Sequence, residues 1–66
     1  METQINKLAI AEVLGTKAFN EGMKRVFALD KEAVELLTNK VGDPKNHKIM
    51  VAWYANWDLS SLRASV

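Results

Sequence analysis

Cysteine is absent from this 66-residue chain, which excludes disulfide staples and thiolate metal sites. Histidine and proline each occur once, as His47 and Pro44. One imidazole and eight scattered carboxylates make no Cys/His pair, no HExxH and no Asp-rich calcium loop. The three glycines, Gly15, Gly22 and Gly42, are too far apart for a phosphate-cradling loop. No apolar run approaches the roughly 20 residues of a membrane span, and the N-terminus lacks the basic start and apolar stretch of a signal peptide. An excess of one charge is missing too, since nine Lys/Arg against eight Asp/Glu leave +1 and no general attraction to phosphate. The expectation is a non-enzymatic, soluble, cytoplasmic binding protein with no catalytic residues, no cofactor, no metal and no small-molecule substrate.

Apolar residues at 48% and charged residues at 26% are the proportions of a folded domain. A chain this short hides only about 60% of the surface that its unfolded form exposes, and without cross-links it needs another source of stability. Residues 1–66 therefore read as a single domain, an all-α bundle of three to four short helices completed by dimerisation.

The helices follow from spacing. Ile5, Leu8, Ala9, Ile10, Val13 and Leu14 recur with helical period, Thr3 suits a cap, and Gly15-Thr16 suggests a stop or kink, a continuous helix being the alternative at a cost of about 1 kcal/mol relative to alanine. Lys17 to Leu29 carries Phe19, Met23, Val26 and Phe27 on one stripe, with Gly22 mid-segment where a neighbour can approach closely. Asp30 reads as the cap of a third helix, stapled by Leu29 and Val34, with Val34, Leu37 and Val41 facing inward and Lys40 in its last turn. Gly42 ends it.

Asp43-Pro44 then opens the helix around which the chain is organised, from about Lys45 to Trp57, with Asp58 re-capping a continuation through Leu62. Ile49, Trp53 and Trp57 recur every four residues, flanked by Met50 and Tyr54, so this face must be buried. Trp53, Tyr54 and Trp57 serve either as core or, with Lys45, His47 and Lys48, as a partner-binding surface: a docking hot spot or a stacking platform for unpaired bases. His47 lies four residues after Asp43, within helical reach, although a solvated histidine between two lysines is the simpler reading. Ile10 to Gly15 resembles the first helix and turn of a helix-turn-helix, but Glu21 and Lys24 fall where its recognition helix needs apolar residues.

Three motifs in order, Ala18-Phe19-Asn20-Glu21-Gly22, Asp43-Pro44 and Ala52-Trp53-Tyr54-Ala55-Asn56-Trp57, resemble the ribosome modulation factor family of short bacterial and phage-associated helical proteins. The alanine and glycine four apart, the proline-bearing linker and the tryptophan pair carry the likeness, over residues 18–57. The stretch between Gly22 and Pro44 is longer than the family's, Asn56 stands where a glycine is usual, and this chain is far less basic. The resemblance implies association with ribosomes or RNA through Lys45, His47, Lys48 and the tryptophan helix. The alternative is a homodimeric protein-interaction module or a phage-type small inhibitor of a host protein, using the same aromatic face; a helix-turn-helix DNA binder is third.

Overall fold

The first helix, α1 (Lys7–Asn20), begins where the Asn6 side chain accepts from the Ala9 N–H at 3.1 Å, so an asparagine supplies the cap. The computed structural model describes residues 6–38 and 42–65, which leaves the Thr3, Lys40 and Val41 expectations outside the described residues. The expected break at Gly15 does not occur, because α1 runs straight through it. A glycine there costs about 1 kcal/mol of helix propensity relative to alanine, but a Cβ would drive into the Trp53 backbone carbonyl. The missing side chain is what lets two helix backbones touch.

α1 ends at Asn20, before Gly22, so of the expected helix from Lys17 to Leu29 only Lys17 to Asn20 is α-helical, and a turn, an extended segment and a 3₁₀ turn follow. Gly22 has φ +80°, its N–H donates to the Phe19 carbonyl, and the Met23 N–H donates to the Ala18 carbonyl. Those two bonds make a Schellman cap, whose left-handed residue strongly favours glycine. Of the predicted stripe, Phe27 is buried, Phe19 and Met23 are half-buried, and Val26 is exposed.

After a 3₁₀ turn at Phe27–Leu29, Asp30 caps α2 (Lys31–Val34) by accepting from the Ala33 N–H at 3.3 Å. The third helix is thus real but far shorter than its spacing suggests. Ala33, not Val34, faces the core, and the proposed Leu29/Val34 staple is largely in solvent. Leu36 and Leu37 are half-buried against the core. Helical continuation stops where Asn46 holds the backbone of Thr38 from both sides, Oδ1 accepting from its N–H at 2.9 Å and Nδ2 donating to its carbonyl at 3.2 Å.

The longest helix, α3 (Pro44–Ala64), starts as its sequence indicates. Gly42 has φ +79°, Asp43 accepts from the Lys45 N–H at 2.9 Å, and proline occupies the first helical position. It does not end and re-cap at Asp58 but continues to Ala64, because Asp58 is engaged sideways by Arg25.

α1 and α3 form the main packing layer and run in the same direction. The charge of Lys7 acts on Asp43 at one end, Gly15 lies on Trp53 midway, and the Phe19 ring meets Trp57 at the other. Parallel helices require the connection to travel back along their length, about 21 Å for 14 residues. Residues 21–38 make that return across one side of the pair. The core, Ala11, Leu14, Ala18, Phe27, Ala33, Ile49 and Trp53, lies between α1, α3 and the returning segment. The all-α expectation holds, with no strand among the described residues. Because α1 stops level with Trp57, the last turns of α3, from Leu59 on, extend past it.

Candidate functional site

The aromatic side of α3 is a seam to which the returning connection is fastened. Trp57 is half-buried and donates from Nε1 to the Met23 carbonyl at 3.0 Å. Tyr54, also half-buried, accepts from the Phe27 N–H at 3.1 Å through its hydroxyl. Trp53 is 0% exposed and donates from Nε1 to Asp30 Oδ2 at 2.9 Å. The partners 23, 27 and 30 meet 57, 54 and 53 in reverse order, as a chain running back along α3 must. Each large ring thus has its polar atom satisfied inside the fold, which is the condition for burying it.

The rings also pack on one another edge to face. Phe19 meets Trp57 with centroids 5.2 Å apart, Phe27 meets Trp53 at 5.6 Å, and Trp53 meets Tyr54 at 5.1 Å, each nearly perpendicular. Such pairs add about 0.5–1.5 kcal/mol beyond the area they bury. Arg25 covers the outer side of Tyr54, its guanidinium 4.7 Å from the ring centre, while forming a two-pronged bond to Asp58 at 2.6 and 2.9 Å.

Of the residues expected to bind a partner, Trp53 therefore has no accessible surface, and Tyr54 and Trp57 present only part of theirs. Lys45, His47 and Lys48 are exposed on the first turns of α3, well before Trp57. Asp43 accepts from the Lys45 N–H and the Thr38 hydroxyl, at 2.9 and 3.0 Å, so both its oxygens are engaged apart from His47. The helix-turn-helix geometry is absent, because Gly15 lies inside α1 where that motif needs a turn.

The surface that sequence reasoning missed lies on the opposite side of α3. Val51, Ala55, Leu59 and Leu62 recur at i, i+4, i+8 and i+11, and all are exposed, the three larger ones at 50%, 47% and 64%. The spacing was visible in the sequence, but the tryptophans on the other face carry the stronger signal and Asp58 suggested a break. Beside the stripe, Glu12, Thr16, Asn20 and Asn56 line a shallow open trough between α1 and α3.

Two carboxylates on α3 are held below their ordinary value of about 3.8: Asp43 by the Lys45 N–H bond and then the Thr38 hydroxyl, Asp58 by the Arg25 hydrogen bond and then its charge. A depressed folded-state pKa stabilises the fold above the unfolded value and ceases to do so as pH falls through the folded one. The urea midpoint should therefore be level from about pH 7 to 5 and fall below about pH 4. Asp43→Asn and Asp58→Asn should each reduce that fall, and an undiminished fall in both variants would contradict these bonds.

No group of metal-ligating side chains occurs among the described residues, and no helix among them is long and apolar enough to cross a membrane. What the geometry offers is an outward apolar stripe on a helix whose aromatic side is occupied internally. No protein-family model, curated protein or solved structure matches this chain.

Proposed function

We propose that this chain is a non-enzymatic helical module that docks a protein partner on the outer face of α3, as an adaptor or small inhibitor of a larger protein would. The observation that carries the reading is the stripe Val51, Ala55, Leu59 and Leu62, left in water along the longest helix. Exposed leucines and valines gathered on one helix face are what helix-docking surfaces present. The aromatic rings support a partner role less, because their polar atoms are bonded within the fold. Ribosome or RNA association is the second reading, favoured by the exposed cations Lys45, His47 and Lys48 and by the resemblance to ribosome modulation factor. There the contacts would be to phosphate rather than by base stacking on Trp53.

Nuclease treatment and two double variants separate the readings. For a protein partner, co-purification from a bacterial lysate survives nuclease, weakens at least tenfold in Val51→Gln with Leu62→Gln, and weakens less in Lys45→Ala with Lys48→Ala at physiological salt. For RNA, nuclease abolishes capture, and the lysine variant lowers the slope of log K against log salt by roughly 0.7 per lost contact on single strands. Nuclease-sensitive capture that ignores the glutamine pair would overturn the docking proposal.

A further inference from the structure

We infer that the partner seated on α3 is an acidic amphipathic helix; this rests on the docking reading and specifies its ligand. The inference comes from charge around the stripe. Lys48 is three residues before Val51, Lys45 one turn earlier, and Arg63 four residues after Leu59, so cations border the apolar line at both ends. All three are exposed. The acidic side chains near α3 do not balance them. Asp58 is neutralised by the two-pronged bond from Arg25, Asp43 at the N-cap offsets Lys45 and Lys7 only, and Glu12 lines the trough on the α1 side, so the excess is carried by Lys48 and Arg63.

The chain as a whole is almost neutral, so this imbalance is local. An apolar line with a basic border is complementary to a helix that carries leucine-like residues on one face and Asp or Glu beside them. Val51 to Leu62 spans about 16 Å at 1.5 Å per residue, room for three turns of a partner helix packed alongside. A second copy of this chain fits less well, because it would bring the same basic border and set like charge against like. Unpaired RNA would use the cations but leave the apolar line in water.

The test is selection from a randomised peptide library, helix-forming and about 16 residues long, displayed on phage and captured by the full-length protein at physiological salt. The proposal expects enriched sequences that are net negative, with large apolar residues at i, i+3 or i+4, and i+7 spacing. The best of them, made synthetically, should bind at least tenfold more weakly to Val51→Gln with Leu62→Gln. Lys45→Glu with Lys48→Glu places acidic residues at the start of a helix, where the dipole favours them, so this variant should stay folded and select neutral or basic peptides instead. Circular dichroism checks that both variants remain helical. Enrichment of neutral or basic apolar peptides by the parent protein, sensitive to the glutamine pair, would overturn the acidic assignment while leaving the docking face intact. Enrichment of nothing, or of peptides indifferent to the glutamine pair, would overturn both. Parent protein that sediments as a dimer dissociated by the glutamine pair would assign the stripe to a second copy. Stronger binding to phosphatidylserine vesicles than to the selected acidic peptides would assign it to a membrane surface.

Discussion

Trp53→Ala should leave the protein largely unfolded at 25 °C. Truncating a buried tryptophan costs about 3–5 kcal/mol through lost transfer energy and the cavity left behind. Here the ring also holds edge-to-face contacts with Phe27 and Tyr54 and donates to Asp30, whose carboxylate is itself buried. A domain of 66 residues has roughly 3–10 kcal/mol of total stability by the usual per-residue range, so the loss approaches the whole. Trp53→Phe separates the contributions. It keeps most of the ring and removes the donor from Asp30, at about 1–3 kcal/mol for the acceptor left unpaired. Urea unfolding followed by far-UV circular dichroism should rank parent above Trp53→Phe and Trp53→Phe far above Trp53→Ala. A Trp53→Ala protein as stable as the parent would mean that the indole is not in the core.

Gly15→Ala should destabilise, although the same change in an exposed helix would stabilise by about 1 kcal/mol. The sign reverses because the added Cβ meets the Trp53 carbonyl oxygen, a backbone atom that cannot rotate away. α1 and α3 must move apart along their contact, and overpacking of this kind costs about 1–3 kcal/mol. The size of the effect depends on how far the helices can separate, but its sign does not. A higher melting temperature for Gly15→Ala would contradict the close parallel packing of the two helices.

These two residues also show how far the sequence could be read. The Asp43-Pro44 helix start, the Asp30 cap and the burial of Ile49 and Trp53 were legible, because each depends on residues within a turn or two of one another, whereas Gly42, read as the end of the third helix, lies well past the end of α2 at Val34. The roles of Gly15 and Gly22 were exchanged: the expected stop lies mid-helix, and the expected mid-helix glycine is the stop. Local sequence does not separate a glycine tolerated for close packing from one needed for a left-handed turn, since both follow an apolar helical run. The choice is made by α3, more than 30 residues away in sequence from Gly15. The same holds for Asp58, which has the chemistry of a cap and the geometry of an ion-pair partner for Arg25. Parallel packing was not legible either, because a connection spanning residues 21–43 is long enough for either direction.

For the site, sequence reasoning placed the basic residues correctly at the start of α3 and the aromatic residues on one helix face. It could not say which side of that helix the rest of the chain would cover. Residues 23–30 cover the aromatic side through three backbone or side-chain hydrogen bonds to Trp57, Tyr54 and Trp53. Val51, Ala55, Leu59 and Leu62 are thereby left as an exposed apolar face. α3 is thus divided between a face that folds the protein and a face that we propose binds a partner.

The most direct measurement is thermal unfolding of Val51→Gln with Leu62→Gln, recorded beside its affinity for the partner. Substitution of exposed apolar residues by a good helix former should change stability by no more than about 1 kcal/mol, while affinity falls at least tenfold. A variant that melts far below the parent, or one that keeps both its stability and its full affinity, would contradict the claim.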